Sequence, residues 1–232
     1  MSWCARRGVT TCRAKHRECA GAGPPGPRGG GILEGGRRVE GVAVVQQWQS
    51  DLEAWAAGWN AVEEDASPGE VRAWDGALPG GRGDGAVLVC EPGQAEEVRA
   101  AARAAGREVL ATEVLLSGDV QELDRGLGFP GDAGMFDAPM GDHLRFEVDE
   151  WGRPVAHSTL SVQGEVAFMG PVVAGTAEDR DPAEVVDPLV SAMANEAFLA
   201  DAQRLYAVVP EDDVPGLEPQ GWRRAAAVLR LS

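Results

Sequence analysis

Three side chains in the body of the chain suit general acid–base work: His143, His157 and Glu165. Histidine titrates near neutrality, and a carboxylate can accept a proton where its surroundings favour it. Each has a plainer reading, as a turn residue, an exposed strand position and a solvated strand start respectively. Other chemistries lack their residues. There is no nucleophile elbow, and no dinucleotide fingerprint set between a strand and a helix. The glycine-rich turn PGGRGDG (79–85) lacks the Gly-Lys-Ser/Thr ending of a phosphate loop, and its Arg82-Gly83-Asp84 reads as chance. Cys4, Cys12, His16 and Cys19 are separated by seven, three and two residues, which matches no common zinc module. No metal is expected.

The elements that must carry these groups are legible as patterns. Trp48, Leu52, Trp55 and Trp59 fall on one helical face, read as core packing in preference to an aromatic ligand platform. AVLVC (86–90) is an apolar strand, QAEEVRAAARAA (94–105) a helix stopped by Gly106, and EVLATEVLL (108–116) a strand. A short helix over 119–129 and a loop over 130–142 follow. HLRFEV (143–148), PVAHSTLSV (154–162) and EVAFMGPVVAG (165–175) form a β-meander around turns at 150–153 and 163–164. Asp181-Pro182-Ala183-Glu184 is a helix start, with Asp187-Pro188 as an alternative. RLYAVVP (204–210) is a buried strand, 211–219 an acidic loop or short helix, and GWRRAAAVLRL (221–231) a last strand.

Charge is uneven. Residues 1–41 carry eight Arg/Lys and three Glu, and residues 42–232 carry thirteen Arg and thirty-four Asp/Glu. The body, at −21, should repel nucleic acid and anionic membranes, so neither is an expected partner. One cysteine in the body, Cys90, fits a reducing cytoplasm. Residues 20–41 are Gly/Pro-rich without periodicity, so 1–41 is expected to be a disordered leader, or upstream of a true start near Val39, Val42 or Val44. The expected divisions are therefore 1–41, an N-terminal α/β region over 42–140, and a second domain over 141–232.

From about residue 140, the order meander, helix, strand, short helix, strand resembles the GNAT superfamily of acyl-CoA N-acyltransferases. The tail LYAVVPEDDVPGLEPQGWRRAAAVLRL resembles that family's ending, with Gly221-Trp222 at its Gly-Phe/Trp position. The turn WGRPVA (151–156) resembles the turn before the family's third strand. LGFPGDAGMFDAPM (127–140) resembles the end of such a unit, so 42–140 reads as a diverged partial copy, as in tandem GNAT proteins. The implied fold is α/β (α+β), a mixed, mostly antiparallel sheet flanked by helices.

The resemblance implies acetyl-CoA as acyl donor and a small amine as acceptor. It places backbone contacts at Val172, Val173, Ala174 and Gly175, and the pyrophosphate near Arg180 and Ala183. It also implies that the strand ending near Val173 splays from 204–210. The sequence departs from the pattern twice. The pyrophosphate glycines are replaced by Arg180-Asp181-Pro182-Ala183-Glu184-Val185, and Leu217 stands where many members have a tyrosine that reprotonates the leaving thiolate. The residues thus admit two readings: an N-acetyltransferase, or a catalytically silent GNAT-like binding module. A homodimer is left open. Intact mass of the native protein separates the two readings of the leader: the late start gives a species beginning near Val39, Val42 or Val44, and one containing Cys4 refutes it.

Overall fold

The computed structural model describes residues 47–62, 70–79, 85–175 and 181–232. The expectations for the leader, for Arg82-Gly83-Asp84 and for Arg180 lie outside the described residues.

The chain forms α1 (Leu52–Val62), β1 (Val71–Ala73), β2 (Ala86–Cys90), α2 (Ala95–Ala104), β3 (Val109–Asp119) and α3 (Val120–Leu123). It continues through β4 (Ala133–Pro139), β5 (Leu144–Glu150), β6 (Arg153–Gln163), β7 (Val166–Met169) and β8 (Val173–Ala174). It closes with α4 (Ala183–Leu199), β9 (Arg204–Pro210), α5 (Val214–Leu217) and β10 (Arg223–Leu231). All ten strands join one mixed, mostly antiparallel sheet in the order β1-β2-β10-β3-β9-β7-β6-β5-β4, with β8 paired to β6. This is the expected α/β (α+β) class. The segments before and after residue 140 share that sheet, because β10 lies between β2 and β3.

Several stretches differ from their sequence patterns: the helix expected over 119–129 is confined to Val120–Leu123, and the strand expected over 165–175 divides into β7 and β8. The loop expected over 130–142 contains β4, an edge strand paired with β5 from Ala133↔Glu150 to Pro139↔Leu144. An edge tolerates the Gly and Pro that hide a strand in the sequence, since one side of its backbone needs no partner. Pro188 lies inside α4 and does not start it.

Alternation assigns the faces. Leu160, Met169, Leu205 and Ala207 face α4, where Leu189, Met193 and Ala197 complete the core. Val209, Val114, Ala227 and Cys90 stand opposite one another across β9, β3, β10 and β2. That row places α2 on the same side, with Val98 and Ala102 against Leu88 and Cys90. Burial raises the Cys90 thiol to about 11. The opposite face is covered by α1. Trp48, Trp55, Trp59 and Val62 pack on Leu115, Phe168, Tyr206 and Val228, which is the core-packing reading of the tryptophan stripe. Gly58 permits the close approach: a Cβ there would lie 2.8 Å from Phe168 Cβ.

Two arms interlock in the sheet. In β2–α2–β3 and β9–α5–β10, the last strand of each arm pairs with the first strand of the other. Each first strand also has a parallel neighbour, β1 for β2 and β7 for β9. The register is close to twofold around the Val114↔Ala227 pair. Val89 meets Val228, one residue beyond Ala227, and Val208 meets Leu115, one residue beyond Val114.

The turn before α1 is pinned by Asp51, whose carboxylate accepts Arg204 Nε and Tyr206 OH, both at 2.9 Å. Burial first, then the Asp51 charge, pushes the Tyr206 phenol well above its ordinary value of 10.0. Folding therefore favours the neutral phenol. This contribution is intact below pH 10.0 and is lost at higher pH, because the unfolded chain ionises first. Tyr206 is the only tyrosine, so phenolate absorbance should stay flat through pH 10 and rise together with loss of circular dichroism. A phenolate signal near pH 10 with the fold intact would contradict the buried bond.

Candidate functional site

The sheet opens at one place. β7 runs parallel to β9 from Val166↔Arg204 to Met169↔Ala207, and there the pairing stops. The chain continues into β8, which pairs with β6 and leaves β9 behind. From Met169 opposite Leu160 to Val173 opposite His157, the chain advances four residues while β6 retreats three. One extra residue is thus accommodated around Gly170-Pro171, the signature of a bulge, which bends the strand. Pro171 has no N–H to give a ladder. The Gly170 N–H donates to Thr159 O at 2.9 Å, and Ser158 Oγ donates to Gly170 O at 3.0 Å. A Cβ on Gly170 would lie 2.3 Å from Thr159 Oγ1, which itself reaches Val62 O at the end of α1 at 3.4 Å. On the other side of the opening, Val208, Val209 and Pro210 remain paired to β3. The expected splay between the strand near Val173 and 204–210 is present.

The lips of this cleft carry different chemistry. On the β9 side, Glu113 stands opposite Pro210 and accepts Arg230 Nε at 2.8 Å, and the Arg230 guanidinium lies 5.0 Å from the Trp59 ring centre. On the β8 side, Gly175 N–H is spent on Val155 O at 2.7 Å. Successive N–H groups alternate along an antiparallel strand, so Val173 N–H points to β6 and Ala174 N–H points to the open edge. Of the four backbone positions expected here, Ala174 has its donor facing the gap. Val172 contributes a buried side chain, and Val173 an exposed one.

The three acid–base candidates separate. His157 lies on β6 opposite Val173, beside the cleft, on the α1 face. His143 stands just before β5, at the level of Ser161, about 13 Å along β6 from His157. Its side chain is 10% exposed, with Nδ1 3.0 Å from Asp142 Oδ1 and Nε2 buried without a hydrogen-bond partner. Glu165 is exposed in the turn before β7, at that strand's opposite end. Leu217 is buried in the α4-side core, and Tyr206, held by Asp51, faces α1. Neither is placed as a proton donor at the cleft.

The turn proposed for phosphate is occupied by its own chain. Asp181 Oδ1 accepts the Ala183 N–H at 3.0 Å. Glu184 N–H donates to Asp181 O, and Val185 and Val186 N–H donate to Pro182 O. Pro182 has no donor, and two carboxylates, Asp181 and Glu184, stand where an anion would enter.

Two features have weak sequence signals. Gly170-Pro171 lies inside a run that reads as one strand, where a glycine marks a bulge or close approach. Glu147 stands directly opposite His157 on β5, a pairing that only the register reveals.

The chain has a GNAT-like fold. Its meander, splayed parallel pair, linking helix α4 and closing strand β10 are that arrangement. No family model matches the sequence, and no curated protein does. Among solved structures, a GCN5-related N-acetyltransferase from Kribbella flavida is 17% identical, with 63% of this chain and 66% of that one covered at a TM-score of 0.48. A GCN5-related N-acetyltransferase from Sphaerobacter thermophilus is 8% identical, with 63% and 58% covered at 0.49. A tandem GNAT protein from the clavulanic acid biosynthesis pathway is 10% identical, with 62% and 63% covered at 0.46. The matched part is under two thirds of each of those chains.

Gly170→Ala is expected to destabilise the chain by about 1–3 kcal/mol, since its Cβ has no room beside Thr159. Adding Thr159→Ala should restore most of that loss in urea melts. Equal stability of Gly170→Ala and the native chain would remove the steric basis given for the bend.

Proposed function

We propose that this chain is an N-acyltransferase that takes acetyl-CoA as donor and a small primary amine as acceptor. The observation that carries this reading is the departure of β8 from β9, which leaves an open strand edge beside a half-buried histidine. The donor supplies an activated acyl carbon, whose C–S bond breaks as the C–N bond forms, releasing the thiol. His157 accepts the proton that an ammonium must lose before its nitrogen can attack. Ala174 N–H offers a hydrogen bond to an oxygen lying in the gap. The strongly acidic body favours the approach of a cation.

The donor's pyrophosphate does not fit the first turn of α4 as it stands. Its N–H groups are already bonded, and its charge is of the wrong sign. A second reading, a GNAT-like module that binds a ligand or partner without transfer, rests on this turn alone. The two readings separate by isothermal titration of the full chain with acetyl-CoA. Micromolar binding supports the first. No binding at millimolar donor rejects it and leaves the second.

Asp181→Ala sharpens the test. It frees the Ala183 N–H and removes a charge, so acetyl-CoA should bind about tenfold more tightly, while the chain loses about 1 kcal/mol of stability as its helix cap is removed. Unchanged or weaker binding in a folded variant would place the phosphates away from α4.

A further inference from the structure

Across the α1 face of the meander, four residues stand in one row on four strands: Phe136 opposite Glu147, Glu147 opposite His157, and His157 opposite Val173. Neighbours in such a row are about 5 Å apart at Cβ, so the row runs straight from the β4 edge to the cleft. Its chemistry is ordered: an exposed aromatic ring, a carboxylate, an imidazole, an exposed aliphatic side chain. Phe136 is 63% exposed and Val173 50%. The Glu147 side chain is 44% exposed, and its ion-pair neighbour is Arg145 Nε at 3.9 Å. A pair that loose and exposed holds the carboxylate weakly. α1 packs over β6 and β7, so β4 and β5 keep their outer side chains open to solvent.

We propose that this row is the acceptor subsite, and that it takes a primary amine borne on an aromatic or similarly bulky apolar body. The inference rests on the transferase reading for its purpose and on the row for its chemistry. A protonated amine pairs with Glu147 and lies against His157, where its proton can pass. The carbon body then extends across one strand spacing onto Phe136, and the nitrogen faces Val173 and the cleft. A polyamine would bring Phe136 a second cation whose desolvation offsets its attraction to the ring, and an amino sugar would bring hydroxyls, so both gain less there than an apolar body. Glu147 and Phe136 are therefore specificity residues, and neither takes part in bond making.

The probe is phenethylamine, titrated into the full chain by saturation-transfer NMR, with spermidine in parallel. Saturable phenethylamine binding is expected, tighter than spermidine, about tenfold weaker in Glu147→Gln and in Phe136→Ala, and unchanged in the exposed control Glu97→Gln. Both row variants alter solvent-facing side chains, and circular dichroism checks their fold. No saturable phenethylamine binding, or binding indifferent to both variants, overturns the subsite. A dimer that dissociates in Phe136→Ala also overturns it, by showing that the row joins two copies. The donor titration separates the two ideas. Amine binding that depends on Glu147 without any acetyl-CoA binding keeps the subsite and rejects the transferase. Acetyl transfer to phenethylamine that is indifferent to Glu147→Gln keeps the transferase and rejects the subsite.

Discussion

Gly170 and Pro171 sit where the sheet has to choose between two neighbours. A strand entering from Met169 could continue alongside β9, but Pro171 has no N–H for a ladder there, and one surplus residue must be absorbed. The backbone groups freed at the bend are satisfied on the β6 side: Thr159 O takes the Gly170 N–H, and Ser158 Oγ covers the Gly170 carbonyl. The bend therefore keeps both Gly170 backbone groups bonded, and it commits the chain to β6. The cleft, the donor at Ala174 and the position of His157 beside Val173 all follow from that commitment.

A bend of this kind opens a cleft only if the other lip stays in place. β9 would be unpaired on both sides after Ala207 were it not for β3, which pairs with it through Pro210. β3 belongs to the N-terminal arm, and its own far side is held by β10 of the C-terminal arm. The interlocking of the arms thus turns a free edge into a rigid wall, and brings Glu113 and Arg230, remote in sequence, to one rim of the opening. The Trp55, Trp59 and Phe168 stack presses α1 onto the same region from above, with Trp55–Trp59 centres 6.1 Å apart and Trp59–Phe168 centres 5.8 Å apart.

The two ends of the cleft differ in chemistry. At the β8 end, the His157 imidazole stands opposite Val173 and the Ala174 N–H faces the gap. At the α4 end, Asp181 and Pro182 have closed the first turn on itself, which stabilises the helix and removes an anion site in the same stroke. A helix cap and a phosphate cradle compete for the same N–H groups, so a chain that gains one gives up the other.

Local chemistry was readable in the sequence because it acts over a few residues. Periodicity marked the tryptophan stripe, the meander and the buried strand at 204–210, and Asp181-Pro182 marked the start of α4. The order of elements with the Gly221-Trp222 tail led to the GNAT-like architecture. Three things were decided only by tertiary structure. β4 became a strand because β5 offered it an edge, which no property of 133–139 announces. His157, and neither His143 nor Glu165, came to the cleft because cross-strand register sets which residues are neighbours, and register depends on both strands at once. The single run 165–175 divided into β7 and β8 because a one-residue surplus is defined only against a partner strand, and a sequence read alone contains no partner.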